Sequence, residues 1–451
     1  MRKTSFALAL LTAAVLTACG GNGPSGGDQT PKTKFSNQIT FGDSLSDVGT
    51  YAVGAVAALG GGQYTINGNN TSVSPELTGK NYTTLIAAQL GLPAPCAAQT
   101  GLLGTASAGF SVPVTDHPEC FNYAQGGARV TNPIGPGNKA LDKPGAAVSL
   151  GQMTVPVVTQ IANHLKKTGG KFKSDELVIV MAGGNDVLEQ LGELSAGATT
   201  AGGQALAQSL VAQLAPGTTN PQTGAAAIGA AIQAEAAKGS AAPAIITAAI
   251  TAAAQNGNTA AVANAAAIGA KAGADAQAAG LAYSAAHGAD LVKALGTAGA
   301  ELGALVKTQI VANGAGYVVV NNLPDVSISP SAKAQSADTQ KLIQAMVAAF
   351  NDTLKAAVAG EPKVLYVDLA AVSRDQATNP APYGLTNTTT PACDLSPAKN
   401  PLGSSLVCNK NNLIAGDVSH YMFADSVHPT PFEYALIARY VLEQMTVKGW
   451  L

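Results

Sequence analysis

Five short apolar runs, bounded by glycine, proline or turn residues, constrain the architecture of this chain more than any other feature. Ile39–Phe41 leads into Gly42, Phe121–Ala124 leads into the pair Gly126-Gly127, and Leu177–Ala182 leads into Gly183-Gly184. Tyr317–Asn321 precedes a Pro-Asp turn, and Val364–Asp368 follows Pro362. Continuous β-branched runs of this length suit strands covered on both faces. Helix-like segments separate them at Asn81–Leu90, Val155–Lys167 and Asp338–Val358. Strand–helix alternation predicts an α/β fold with a parallel sheet. Residues 195–305 differ in character, being dominated by Ala and Gly with sparse Gln, Asn and Thr. Alanine is the best helix former, so this stretch reads as an insertion of close-packed helices; a low-complexity insertion is the rival reading. His287 lies within it and is assigned no role.

The chain has 451 residues, 47% hydrophobic and 12% charged, which allows a large core. A net charge of −2 leaves no basic footprint for nucleic acid. Arg2 and Lys3 precede an apolar stretch, Phe6–Leu16, and then Leu16-Thr17-Ala18-Cys19-Gly20. This resembles the lipobox of bacterial lipoproteins, with Cys19 as the lipidated residue. The expected organisation is a lipoprotein signal peptide over 1–18, a Gly/Pro-rich flexible tether over 19–37, and one domain over 38–451. An ordinary signal peptide with an incidental Cys19 is the alternative. The implied partner is a membrane, held through the lipid, and the chain is exported; Gly20 after the cysteine resembles the outer-membrane default of Gram-negative lipoproteins. Four cysteines remain: Cys96, Cys120, Cys393 and Cys408. An even number in an oxidising compartment suggests two disulfides, for which three connectivities exist. Cys96–Cys120 with Cys393–Cys408 is favoured because each pair closes a short polar loop. No CxxC or HExxH spacing appears, so no zinc site is expected.

The strongest chemical signal is Phe41-Gly42-Asp43-Ser44-Leu45-Ser46-Asp47, where a serine follows a strand end and opens an expected helix. Carboxyl ends of parallel strands are where such proteins place ligands, and a helix N-terminus offers free N–H groups. Near the other terminus lies Asp425-Ser426-Val427-His428-Pro429-Thr430. A serine nucleophile needs a base, and the imidazole needs an acceptor that fixes its tautomer. Asp425 and His428, three apart, can lie on one side of a turn. Asp417 and His420 have the same spacing, but only the later pair is followed by Pro-Thr and a helix-like stretch, Pro431–Met445. Two more strand ends offer donors: Asn122–Ala128, with its glycine pair, and Gly183-Gly184-Asn185-Asp186, with the Asn185 amide.

FGDSLSDVG, NYAQGGA, GGND and DSVHPT resemble, in order, the four sequence blocks of the GDSL, or SGNH, hydrolases, and VVVNNLPDV resembles that family's segment between the third and fourth. The blocks run from residue 41 to residue 430. The resemblance implies a flavodoxin-like three-layer fold with a sheet of about five parallel strands. It places the nucleophile at Ser44, the base at His428 and its acidic partner at Asp425. The oxyanion donors would be the Ser44 and Gly127 amides and the Asn185 side chain, with Gly126 second to Gly127. Thr50 stands where members often carry Asn, and the Ala-rich insertion is a larger departure. No GxSxG elbow is involved.

The expected activity is that of a serine esterase or lipase, acting on an ester or lipid substrate through an acyl-enzyme, with no metal or diffusible cofactor. A histidine base implies a rate that falls on acidification through roughly pH 6–7. Three alternatives stay open on sequence alone. They are a phospholipase or acyltransferase using the same site, a polysaccharide deacetylase, and a non-catalytic surface lipoprotein. The deacetylase is disfavoured by 5% aromatics and a single Trp.

Overall fold

The computed structural model describes residues 33–70, 77–142 and 148–451. The expected signal peptide, Cys19 and the tether as far as residue 32 lie outside the described residues.

Among the described residues six strands are present: β1 (Gln38–Gly42), β2 (Gln99–Leu103), β3 (Ser111–Asp116), β4 (Leu177–Met181), β5 (Tyr317–Asn321) and β6 (Val364–Val367). Four of them form a parallel sheet in the order β1-β4-β5-β6, with Gln38 opposite Leu177, Leu177 opposite Tyr317 and Val318 opposite Val364. β2 and β3 pair separately as an antiparallel hairpin. The apolar runs around residues 39, 177, 317 and 364 thus form strands where the sequence predicts them.

The fifth run does not. Phe121–Ala124 forms no ladder: Asn122 bridges Ala97 on one side and, on the other, makes a single parallel bridge to Thr40 on the free edge of β1. Its side chain accounts for the interruption: Asn122 donates to the Ser46 carbonyl (2.9 Å) and accepts from the Ala124 amide (3.1 Å). Those bonds bend the backbone into the loops beyond β1. With that bridge counted as a rudimentary strand, the spatial order by chain position is 2-1-3-4-5, the flavodoxin-like order.

Side chains alternate across the sheet. Ile39, Phe41, Val178, Val180, Val318 and Val320 face one core with the helices Val157–Lys167, Ala265–Leu305 and Ala337–Val358. Leu177, Ile179, Met181, Val319 and Val367 face the other, with Tyr82–Gln89 and Pro431–Val447. Both layers are fully covered, as the uninterrupted strand hydrophobicity requires.

The Ala-rich stretch is helical. Gly184–Leu214 and Ala265–Leu305 pack along one another and carry Pro221–Ala237 and Ala242–Gln255. These helices enclose a separate core of Leu206, Leu210, Leu214, Ile228, Ile232, Ile250 and small alanines. Asn220 caps the Pro221 helix by accepting from the Gln222 and Thr223 amides. The extension does not begin at a loop: its first helix starts at Gly184, immediately beyond β4, so one helix joins the sheet to the extension.

Candidate active site

The loop after β1 starts at Gly42, whose amide donates to the Gln160 side chain at 2.9 Å. No helix opens at Ser44. Residues 44–46 form one turn, closed by the Ser46 amide on the Asp43 carbonyl at 3.1 Å. The helix-dipole support expected from sequence is therefore missing, and only the backbone amides of the turn remain as local donors. The turn is held from below by Asp47. Its carboxylate accepts from the amides of Gly49 (2.9 Å), Thr50 (2.8 Å) and Gly126 (3.0 Å). Burial pushes the Asp47 carboxyl up to about 6, and the three N–H donors work against that shift. Asp47 thus links the serine turn to the glycine pair. The Tyr51 hydroxyl adds a bond to the Gly126 carbonyl at 2.8 Å.

Gly127 takes φ +79°, and a Cβ there would collide with the Pro136 carbonyl. Only glycine fits both conditions. Among the described residues, neither the Ser44 nor the Gly127 amide donates to a protein acceptor. Asn185 stands in the first turn of the Gly184–Leu214 helix and donates one amide hydrogen to the Ala128 carbonyl at 2.8 Å. That bond fixes the side chain and leaves its second hydrogen unused. The next residue, Asp186, accepts from Arg129 Nε at 3.0 Å and from the Val130 amide at 3.1 Å. This buried pair clamps the loop that carries Gly127 to the helix that carries Asn185. Burial raises the Asp186 carboxyl, and the Arg129 guanidinium opposes it.

His428 reaches the same rim from the loop before the Pro431–Val447 helix. Its Nε2 lies 2.9 Å from Ser44 Oγ, and its Nδ1 lies 2.8 Å from Asp425 Oδ2. Ser44 and His428 are 384 positions apart in the chain. Asp425 also accepts from the amides of His428 (2.7 Å), Val427 (2.9 Å) and Ser405 (2.7 Å). Burial alone would raise its carboxyl; the His428 imidazole and these donors outweigh burial and hold it well below the usual carboxylate range. Asp43, beside the serine, goes the other way: burial pushes it up to about 7 against the Leu45 amide and His428.

The rival pair is elsewhere in its contacts. Asp417 accepts from Ser419, and the His420 ring stacks on Phe432 at 4.2 Å. Disulfides join Cys96 to Cys120 and Cys393 to Cys408. The second closes the loop that presents Ser405 to Asp425. Disulfides fit an exported protein, and no helix among the described residues is long and apolar enough to cross a membrane.

Ser44, Gly127, Asn185 and His428 line one cleft of about 560 Å³. Its remaining walls are largely apolar, including Leu45, Phe110, Leu188, Leu323, Val372 and Phe423. Three supporting groups were not legible in the motifs. Arg129 and Ser405 act across long sequence separations, and Tyr64 packs its ring 4.8 Å from the His428 ring with no local signature. Asp47 had a local signal, since an aspartate two residues before a glycine favours an Asx-type turn.

The fold and this alignment define a doubly wound α/β protein with a serine–histidine–aspartate hydrogen-bond chain at the carboxyl edge of its sheet. A family model described as GDSL-like Lipase/Acylhydrolase matches residues 198–441, and the chain belongs to that family. The matched span contains Asp425 and His428, while Ser44, Gly127 and Asn185 precede it. Two GDSL esterases/lipases of Arabidopsis thaliana are similar to the chain, one 34% identical over 83 residues and the other 30% identical over 82 residues. Each match covers 18% of this chain and 22% of the relative, so the chain spans about a fifth of the length of those proteins.

Proposed function

We propose that the protein is a serine esterase or lipase that hydrolyses carboxylic esters with an apolar acyl part through an acyl-enzyme on Ser44. The observation that carries this reading is the 2.9 Å approach of His428 Nε2 to Ser44 Oγ, with Asp425 behind the imidazole. His428 takes the hydroxyl proton as Oγ bonds to the ester carbonyl carbon, and the carbonyl electron pair moves onto oxygen. The Ser44 and Gly127 amides and the Asn185 side chain receive that oxyanion; each such donor is typically worth about 3–4 kcal/mol in the transition state. Collapse breaks the bond to the alcohol oxygen, which leaves with the proton from His428. Water then gives its proton to His428 and attacks the acyl carbon, and the acid departs as Ser44 recovers its hydrogen. Asp425 stays ionised throughout. The apolar cleft beside Ser44 favours hydrocarbon acyl groups.

Turnover of p-nitrophenyl esters of graded chain length, together with fluorophosphonate labelling, tests the reading. Ser44→Ala should abolish labelling and lower kcat by about 10⁴-fold or more with the fold retained. Undiminished turnover by that variant would remove Ser44 from the chemistry. Attachment to a membrane through lipid on Cys19 is part of the same proposal and rests on the Leu16–Gly20 pattern. Radiolabelled fatty acid should enter the wild-type protein and not Cys19→Ala; equal labelling of both excludes the anchor.

A further inference from the structure

The wall of the largely apolar cleft also carries polar side chains, most of them engaged: Gln152 donates to the Tyr64 hydroxyl, Asp325 accepts from the Ser327 hydroxyl, and Ser373 accepts from the Asp325 amide. Glu433 and Gln376 differ. Both line the cleft, Glu433 from the first turn of the Pro431–Val447 helix and Gln376 from the Leu369–Thr378 helix. Glu433 is 3% exposed and Gln376 2%. Glu433 Oε2 and Gln376 Oε1 are both buried without a hydrogen-bond partner. None of the ion pairs among the described residues includes Glu433.

A structural duty for Glu433 would be the capping box. Thr430 supplies half of it, accepting from the Glu433 amide at 3.1 Å. The reciprocal half, a bond from the Thr430 amide to the Glu433 carboxyl, is not made, because that amide donates to the Met422 carbonyl at 3.1 Å. The carboxyl is thus released from the helix end and left beside Gln376 in the cleft wall. Leaving buried polar atoms unpaired is costly, and a protein lining an all-hydrocarbon pocket would do better with leucine at both positions. Burial pushes the Glu433 carboxyl up to about 8 against a hydrogen bond with the Gln376 side chain, so near neutral pH it carries a hydrogen and can donate as well as accept.

We propose that Glu433 and Gln376 form a polar subsite within the cleft that takes a hydroxyl group carried on the hydrocarbon part of the ester, so that the preferred substrate class is a hydroxylated fatty-acyl ester. A hydroxyl is both donor and acceptor. It can donate to the open Gln376 Oε1 while accepting from the Glu433 acid at Oε2, satisfying the two atoms that the free protein leaves without partners. The subsite lies in the same cleft as Ser44, so the inference rests on the esterase reading for its kinetic test.

The test compares kcat/KM for matched p-nitrophenyl esters that differ only in a hydroxyl, moved stepwise along the acyl chain. Wild-type protein should prefer one hydroxylated isomer over the plain chain by roughly tenfold or more. Gln376→Leu and Glu433→Leu should each lower turnover of that isomer and raise turnover of the plain chain, inverting the preference, while Glu433→Gln keeps it. A plain-to-hydroxylated ratio that is the same in wild type and both leucine variants overturns the subsite. If Glu433→Leu does not fold, Gln376→Leu decides alone. Should wild type hydrolyse none of these esters, the esterase reading fails on its own, and the subsite is decided by calorimetry. Free hydroxylated fatty acid should then bind Ser44→Ala more tightly than the plain acid, and lose that advantage in Ser44→Ala with Gln376→Leu; equal binding of the two acids overturns it.

Discussion

The rim around Ser44 and the helical extension over residues 195–305 use polar side chains in opposite ways. At the rim the backbone is irregular, and side chains distant in sequence hold it. Asp47 holds three amides, Asp186 holds Arg129 and Val130, and Asn67 Nδ2 sits among the carbonyls of Gln63 (2.9 Å), Ser405 (3.0 Å) and Cys408 (3.0 Å). In the extension the backbone satisfies itself, and hydroxyls mostly bond four residues back, as Thr199 does to Ser195 and Thr251 to Thr247. Precise placement of reacting groups needs long-range polar anchors, whereas an alanine helix needs little beyond its own propensity and a few branched side chains at the contact.

Changes at the rim should therefore cost activity out of proportion to stability, and changes in the extension the reverse. After the loss of Ser44 itself, the largest effect is expected for Asp425→Asn, which keeps the shape but removes the charge behind His428. Stopped-assay kinetics should show kcat down by about 10³–10⁴-fold, with the melting temperature moved by only a few degrees. A fall below about tenfold would separate Asp425 from the base. Gly127→Ala comes next: the φ and the Pro136 carbonyl both exclude a methyl group, so its amide must shift. A loss of about 10²–10³-fold in kcat with little change in KM is expected, and a change confined to KM would remove that amide from the oxyanion site.

Ile228→Ala tests the other region. Ile228 is fully buried in the extension core, and its truncation should destabilise that core by about 2–4 kcal/mol in denaturant titration. Hydrolysis below the transition should be unchanged; a parallel loss of activity would show that the extension shapes the cleft. The smallest effect concerns pH. Burial raises Asp43 to about 7 and Glu433 to about 8, above the ordinary carboxyl values expected in the unfolded chain, near 4. The native state then binds more protons, so the stability these groups contribute is complete below about pH 4 and is lost as pH rises through about 7–8. Thermal melts should show a decline between pH 5 and pH 8 that is shallower in Glu433→Gln, by about 2 °C at pH 8. Identical slopes would mean that the Glu433 carboxyl titrates normally.

Much of the site is legible along the chain because it sits where sequence signals are local. Ser44 follows a β-branched run, Asn185 follows Gly183-Gly184, and Asp425 stands one turn before His428. Gly183 is the clearest case: φ +121° and the Phe350 ring against the missing Cβ both demand glycine. Reading failed where a contact between remote segments overrode a local preference. Phe121–Ala124 has strand composition, yet Asn122 spends its side chain on Ser46 and the strand shrinks to isolated bridges to Thr40 and Ala97. The turn at Ser44 looks like a helix start, yet Asp47 draws the following amides onto its own carboxylate.

By itself the sequence determined the layered α/β architecture, the helical character of the alanine-rich stretch and the residues at the strand ends, because periodicity and turn chemistry act over a few neighbouring positions. The family resemblance singles out His428 over His420; only the tertiary structure decided how Arg129 and Asp186 lock Gly127 against Asn185, and that Glu433 and Gln376 share the cleft wall. Those outcomes depend on chain closure over hundreds of residues and on which buried polar groups find partners, and neither is encoded in any short window.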